Sequence, residues 1–299
     1  MSMQRARPEL RQTTEGRFAA ALVAPVVIYL LVAMLIPFLW GVGMSFTNKT
    51  AGVPGAEFVG LRNYMEMLKT KDIYDSTWVT LLFTFFSIAG KLLLGIVLAL
   101  LLNMEFKGRN LMRALLLIPW ALPNIVVVLN WRWIFAGSGG ALNYLFKSLG
   151  LISTNVAWTG DPKLALLTII ISNVWRGIPF FGINVLSGLT TIPGDLYESA
   201  EIDGCGALKK FLHITLPSIR SVVLMTTLVS TIWTLNEFDS IWQMTGGGPL
   251  NRTMTLAVYS YKTAMYNFRI GRGVAVSVLT MPLMILLIYW VNRMSAKNE

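Results

Sequence analysis

Long apolar runs alternate with short polar segments along almost the whole chain. Each run holds roughly 20 or more predominantly apolar residues, enough for a helix to cross a hydrocarbon core about 30 Å thick. The pattern therefore predicts an all-α membrane protein with six transmembrane helices. The predicted spans are about 18–46, 77–104, 111–136, 163–189, 218–244 and 272–292.

The polar segments set the expected topology. An even number of spans places the N-terminal arm (1–17) and the tail (293–299) on one side, and Lys and Arg near the span ends favour the cytoplasm for that side. The first run is too long for the apolar core of a signal peptide, so we interpret it as a retained span. We treat 18–292 as one membrane domain, whose segment 190–217 faces the cytoplasm.

Composition narrows the function classes. The chain is 55% hydrophobic and only 13% charged, with a mean hydropathy of +0.60, which indicates an integral membrane protein. The net charge of +10 is scattered among loops and forms no stripe for nucleic acid. A single cysteine, Cys205, excludes an intramolecular disulfide. One histidine, His213, supports neither a metal cluster nor a catalytic relay, so we predict no metal site and no enzyme activity.

A charged segment between two apolar runs carries the most specific pattern. It reads ESAEIDGCGALKKFLHITLP over 198–217. It resembles the cytoplasmic coupling loop of ABC importer permeases, whose pattern is Glu-Ala-Ala, three residues, Gly, nine residues and Ile-x-Leu-Pro. Ser199 replaces the first Ala and is the one departure within the pattern. The residues assigned to ATPase coupling are Glu198, Ser199, Ala200, Asp203, Gly204, Ile214, Leu216 and Pro217.

Physical reasoning gives this segment a compatible shape. Glu198 to Asp203 is predicted to be helical, and Gly204 permits a bend or a close approach to another protein. Pro217 fits the first turn of the next span, where a missing N–H group is tolerated. The alternative is an ordinary cytoplasmic loop whose charges are solvated.

Further stretches resemble the carbohydrate-uptake, maltose-type permeases and together cover nearly the whole chain. They are FVGLRNY (58–64), GIVLALLLN (95–103), RALLLIPWALPNIV (113–126), NVWRGIPF (173–180), NEFDSIWQMTGGGP (236–249) and GRGVAVSVL (271–279). The FD-x-I-W block is typical of one of two paired permeases. The resemblance therefore implies a second, different permease subunit and hence a heterodimer.

This resemblance implies the type I ABC importer permease fold in the cell membrane. It also implies two cytoplasmic ATPase subunits, an extracytoplasmic solute-binding protein and a sugar substrate that crosses by alternating access. The chain has no G-x-x-x-x-G-K-[ST] loop, so we expect no cofactor in it and assign ATP and Mg to the partner ATPase. Two alternatives stay open: a polyol or glycerol-phosphate solute in the same kind of importer, or a stand-alone secondary transporter.

Polar residues inside the predicted spans suggest a substrate path, because such residues are costly in a membrane and face protein or water. Three- and four-residue spacing places them on one face of the fourth span and one face of the fifth. The candidates are Asn173, Arg176, Gly177, Phe180, Ser230, Trp233, Thr234 and Glu237. Of these, Asn173, Gly177, Ser230 and Thr234 match sugar-contacting positions of the family.

Other interpretations of these polar residues are kept open. The candidates can instead serve as interhelical contacts. Lys91 and Arg132 receive no role. Glu237 and Asp239 are expected near the external end of their span, where a gate, a charge pair and a binding-protein contact are equally open.

Overall fold

The computed structural model describes the backbone of residues 8–296 and the side chains of residues 16–289 and Arg293. The outermost parts of the predicted cytoplasmic ends, including Arg5, Arg7 and Lys297, lie outside the described residues. The regular secondary structure of the described residues is helical, apart from one isolated antiparallel bridge between Thr47 and Phe58. The all-α class predicted from the hydropathy pattern is confirmed.

Sixteen α-helices and three π-helical segments make up the described fold. The α-helices are α1 (Pro8–Leu30), α2 (Ile36–Ser45), α3 (Arg62–Leu68), α4 (Lys71–Asn103), α5 (Arg109–Leu116), α6 (Ile118–Ala121), α7 (Asn124–Ile134), α8 (Ala141–Ser148), α9 (Ala165–Leu189), α10 (Gly194–Ile202), α11 (Ala207–Lys210), α12 (Leu216–Ser218), α13 (Arg220–Leu235), α14 (Asp239–Thr245), α15 (Leu256–Tyr261) and α16 (Ile270–Ala296). The π-helical segments are Leu31–Leu35, Phe211–Thr215 and Lys262–Tyr266.

Four of the helical stretches are continuous, long and apolar enough to cross a membrane: Gly16–Ser45, Lys71–Asn103, Ala165–Leu189 and Ile270–Tyr289. Two bent pairs raise the number of candidate spans to six if each pair is one span. Arg109–Ala121 and Asn124–Ile134 meet at 89°, and Ala207–Ser218 and Arg220–Leu235 meet at 67°. The described residues thus hold four to six candidate spans, and the number six stays a prediction.

Two predicted spans differ from the helices observed. The run 111–136 is interrupted at Pro123, which cannot donate an N–H group and disfavours a helical residue before it. The run 218–244 is also interrupted, because α13 ends at Leu235 and α14 begins only at Asp239. Hydropathy does not detect either break, because the runs on both sides of each break are apolar.

Helices α4 and α9 form the most extensive helix pair of the described fold. Glycines allow their backbones to approach closely, since a Cβ atom on Gly95 would lie 2.3 Å from Cβ of Phe181. A Cβ on Gly182 would lie 2.7 Å from the Leu98 side chain, and one on Gly90 would lie 2.9 Å from Val174. Small residues at helix contacts are the usual means of close packing in membranes.

Two apolar clusters hold the other helices against this pair. One joins α4, α7, α9 and α14 through buried residues that include Phe83, Val128, Ile169 and Ile241. The other lies toward α10 and joins α4, α9 and the start of α13. The first span differs, because none of its most apolar window is buried and only its C-terminal part, α2, packs against α16.

We expect Gly95→Ala to destabilise the folded protein, because its Cβ overlaps the fixed Cβ of Phe181. Overpacking of this kind costs about 1–3 kcal/mol. The measurement is the midpoint of thermal unfolding in detergent, followed by intrinsic fluorescence.

Gly43→Ala is the matched control, since a Cβ at Gly43 meets nothing within 4 Å and the residue is also helical. It should leave the midpoint unchanged or raise it slightly. Equal midpoints for the two variants would contradict the close α4–α9 contact.

Candidate functional site

A cavity of about 290 Å³ lies between α4, α6, α9 and α13. All eight predicted substrate-path residues line it, together with two residues that the sequence did not single out for this role. The ten lining residues are Lys91, Trp120, Asn173, Arg176, Gly177, Phe180, Ser230, Trp233, Thr234 and Glu237.

Helical spacing explains why the side chains of α9 and α13 converge there. Residues three and four positions apart share a helix face, as predicted. Asn173 precedes the end of α9 by 16 residues, about 24 Å along the helix axis. Thr234 follows the start of α13 by 14 residues, about 21 Å. The cavity therefore lies at a depth within the bundle well separated from α10.

Glu237 reaches the cavity because the helix breaks beside it. Residues 236–238 separate α13 from α14, and Glu237 Oε1 accepts a hydrogen bond from the backbone N–H of Ser240 at 3.0 Å. The carboxylate thus satisfies a free N–H group in the first turn of α14, where negative charge is favourable. The sequence placed Glu237 near the outer end of an unbroken span, whereas the structure places it at an internal break. Asp239 does not line the cavity and begins α14.

Aromatic rings form one part of the cavity lining. Phe180 and Trp233 have ring centroids 4.9 Å apart, and Trp120 stacks on Phe180 at 6.3 Å. Trp120 was missed because it belongs to the short helix α6, which the predicted span 111–136 concealed. Its position between Pro119 and Pro123 is the signal that indicates a local break.

Another part of the cavity lining contains polar atoms without hydrogen-bond partners. Asn173 is 9% exposed, and its Oδ1 accepts no hydrogen bond. Nε of Arg176 is also buried without a partner. Buried polar groups normally have partners, so two unpaired polar atoms on neighbouring lining residues are unusual. Thr234 and Ser230 contribute hydroxyl groups, and Thr234 Oγ1 donates to the Ser230 carbonyl at 2.7 Å.

Lys91 is the second lining residue that the sequence did not assign. Its side chain is buried, with the residue 5% exposed, and Nζ donates to Thr234 Oγ1 at 3.0 Å. It crosses over Gly177, where a Cβ would lie 2.6 Å from the Lys91 Cε. A cation in an apolar span indicates a functional position. Only the contact between α4 and α9 shows that Lys91 lies on the helix face toward the cavity. Arg132 is exposed and does not line the cavity.

The predicted coupling segment folds as a compact helical hairpin. Helix α10 contains Glu198, and the chain turns back at Gly204, whose φ of 68° favours glycine. The backbone N–H of Cys205 closes this turn on the Ala200 carbonyl at 2.8 Å. Pro217 lies in α12, before the 67° bend, rather than in the first turn of α13 as the sequence predicted.

Two side-chain contacts connect the halves of this hairpin. Tyr197 Oη and Thr215 Oγ1 are 2.9 Å apart. Lys210 Nζ donates to Glu201 Oε1 at 2.5 Å, and this hydrogen bond lowers the pKa of the Glu201 carboxyl below its usual value. These contacts hold α10 against the segment that leads into α13.

The hairpin exposes most of the predicted coupling residues. Glu198, Ser199, Asp203, Gly204 and Pro217 are exposed, whereas Ile214 and Leu216 are half-buried and Ala200 is 8% exposed. Two apolar side chains that the sequence did not single out are also exposed, Ile202 at 88% and Leu208 at 71%. Exposed apolar residues beside a charged helix are typical of a protein contact surface.

The described residues offer no evident catalytic chemistry. No group of three or more His, Cys, Asp or Glu side chains in residues 16–289 is placed to hold a metal ion. The cavity instead offers hydrogen-bonding groups, charges and aromatic surface, which suit reversible binding of a polar solute.

Comparison with known proteins identifies relatives of this chain. A family model described as "Binding-protein-dependent transport system inner membrane component" matches residues 91–298. The trehalose/maltose transport system permease protein MalF of Thermococcus litoralis is 36% identical over 272 residues, covering 91% of each chain. The sulfoquinovosyl glycerol transport system permease protein SmoG of Agrobacterium fabrum is 36% identical, covering 87% of this chain and 84% of its own.

A solved structure has the same fold. It is a bacterial alginate ABC transporter in complex with an alginate pentasaccharide-bound periplasmic protein, and one of its chains superposes with a TM-score of 0.82. The alignment covers 97% of each chain at 20% identity. The fold is therefore that of an ABC importer permease.

Proposed function

This chain belongs to the binding-protein-dependent transport system inner membrane component family, and we propose that it carries a sugar through an ATP-driven importer. It is a transport subunit of the membrane rather than an enzyme. The observation that carries the proposal is the single cavity that all eight predicted substrate-path residues line.

The lining of the cavity suits a saccharide. Amide and hydroxyl groups of Asn173, Ser230 and Thr234 match sugar hydroxyls, and the ring surfaces of Phe180 and Trp233 match the apolar C–H faces of a pyranose. The names of relatives from Thermococcus litoralis and Agrobacterium fabrum support this solute class. A polyol or glycerol phosphate is the second candidate, which the guanidinium of Arg176 favours.

The remaining subunits follow from the division of labour in such importers. We assign to this chain a different second permease, two ATPase subunits that bind ATP and Mg, and an extracytoplasmic solute-binding protein. The alginate transporter structure, which includes a periplasmic binding protein, supports the last of these. This chain itself holds no cofactor in the proposed assembly.

The proposed topology has six spans with both termini in the cytoplasm. The broken stretches 111–136 and 218–244 then each count as one span. The hairpin 190–217 lies on the cytoplasmic side, where Glu198 and the exposed Ile202 meet the ATPase. ATP-driven closure of the ATPases moves the hairpin and switches the cavity between its outward-facing and inward-facing states.

One experiment tests the proposed function as a whole. The chain is co-expressed with the subunits of its neighbouring operon and purified, and ATP hydrolysis is measured with the binding protein and a panel of sugars. Co-purification with sugar-stimulated hydrolysis is expected. A chain that purifies alone and transports without any ATPase would overturn the proposal in favour of a secondary transporter.

We expect Asn173→Leu and Ser230→Leu to abolish uptake. Leucine fills the cavity and removes the side-chain groups that hydrogen-bond the hydroxyl groups of the sugar. The complex should still assemble, with basal ATPase activity retained. The measurements are the yield of complex in detergent and uptake into proteoliposomes.

Asn184→Leu is the matched control on the same helix. Asn184 does not line the cavity, and its Nδ2 donates to the Phe180 carbonyl at 2.7 Å. It should retain uptake. Lost yield, or normal uptake, for the two cavity variants would assign Asn173 and Ser230 to packing instead.

We expect Glu198→Ala to lower sugar-stimulated ATP hydrolysis and uptake together. Glu198 is exposed and makes no ion pair in the part of the chain that the structure describes, so its carboxylate is available to a basic group of the ATPase. A charge-assisted contact of this kind contributes about 1.5–3 kcal/mol.

Glu105→Ala removes an exposed carboxylate from another predicted cytoplasmic loop and should have no effect. Unchanged uptake by Glu198→Ala in proteoliposomes would show that Glu198 is merely a solvated loop residue.

We expect Gly204→Asp to abolish ATPase association while membrane insertion persists, because it adds bulk and charge at a desolvated contact. The measurement is recovery of the ATPase in a pull-down. Gly108→Asp controls for backbone strain, since both glycines have positive φ (68° and 88°) and open space where a Cβ would lie. Wild-type recovery with Gly204→Asp would rule out docking at this turn.

A further inference from the structure

Three ionisable side chains line the cavity: Lys91, Arg176 and Glu237. They interact electrostatically, yet no carboxylate of residues 16–289 forms an ion pair with either cation. Two cations facing one carboxylate leave the cavity with a net positive charge. Burying like charges together is unfavourable, so this arrangement needs a compensating feature.

The burial of Lys91 is the most demanding part of the arrangement. An ammonium group has three N–H donors, and the structure gives that of Lys91 one hydrogen bond, to the neutral hydroxyl of Thr234. An ionised group so deeply buried is normally paired with an opposite charge. The ammonium of Lys91 is therefore able to accept an anionic partner from inside the cavity.

The position of Lys91 brings it beside the second cation. Its aliphatic chain packs on Gly177, the immediate neighbour of Arg176 in α9, and the absence of a Cβ there makes the contact possible. Nε of Arg176 is buried with no hydrogen-bond partner. Both cationic side chains thus line one volume of about 290 Å³, and neither forms an ion pair in the described structure.

Glu237 is not the anionic partner of Lys91 or Arg176. Its Oε1 already accepts from the Ser240 N–H group, which holds the carboxylate at the break between α13 and α14. No nitrogen of Lys91 or Arg176 lies within 4 Å of it, since neither forms an ion pair in the described structure. The carboxylate reduces the positive potential of the cavity without pairing directly with either cation.

We propose that Lys91 and Arg176 bind an acidic group of the transported solute, which is accordingly a saccharide bearing one carboxylate, sulfonate or phosphate. The aromatic rings and amide groups hold the sugar ring, and the two cations select for the anion. This inference rests on the proposed function, because it takes the cavity to be the solute site.

The test uses four compounds that share the glucose ring and differ at C6: glucose, glucuronate, 6-deoxy-6-sulfoglucose and glucose 6-phosphate. The importer complex is reconstituted in nanodiscs without the binding protein and without nucleotide. Binding of each compound is measured by saturation-transfer difference NMR. The complexes compared contain the wild-type chain, Lys91→Met, Arg176→Gln or Glu237→Gln.

We expect at least one acidic compound to bind the wild-type complex about tenfold more tightly than glucose, or better, as charge-assisted hydrogen bonds do. Lys91→Met and Arg176→Gln should each remove this preference, because the affinity for the acids falls much further than the affinity for glucose. Glu237→Gln should strengthen it, because a competing negative charge is lost. A merely structural role for these residues would shift all four compounds alike, so opposite effects on acid preference are diagnostic.

The remaining outcomes overturn the inference. Equal binding of glucose and the acids, an unchanged preference in both cation variants, or no binding of any compound would each do so. If Lys91→Met fails to assemble, Arg176→Gln and Glu237→Gln still decide. Sugar-stimulated ATP hydrolysis of the co-purified complex is measured separately, so the proposed function can stand while this inference fails.

Discussion

The close approach of α4 and α9 is the contact on which the site depends. Glycines on both helices remove the side chains that would hold the backbones apart, as Gly95 and Gly182 show. Further along the same contact, Gly177 provides the space through which Lys91 reaches the cavity. Packing and site chemistry are thus two results of one constraint.

Breaks in the helices bring side chains to the cavity that straight helices would not place there. In a membrane the backbone groups freed at a break must be satisfied within the protein. At residues 236–238 one freed group is met locally, because Glu237 Oε1 accepts the Ser240 N–H group at 3.0 Å. The break near Pro123 has a different result, because it separates α6 from α7 and leaves Trp120 against Phe180. Both breaks border the cavity, one through the charge of Glu237 and the other through the aromatic ring of Trp120.

The sequence predicts those features that depend on local periodicity. Helical class follows from apolar run length, and the shared face of Asn173, Gly177 and Phe180 follows from spacing along one helix. It does not predict features that depend on how helices meet. The role of Lys91 requires knowing which helix faces α4, and Trp120 requires knowing that α6 is separate. The exposure of Ile202 was likewise not predicted, because hydropathy alone does not distinguish a buried isoleucine from an exposed one.

The isolation of the first span has a consequence for how this protein is built. The stretch Gly16–Ser45 buries nothing in its most apolar window, and of its parts only α2 packs on the rest of the chain, against α16. No residue of it lines the cavity, and the family model begins only at Lys91. Within this chain, the span is therefore peripheral to the helices that form the cavity. Its apolar surface is left to contact lipid or a neighbouring subunit rather than the core of its own chain.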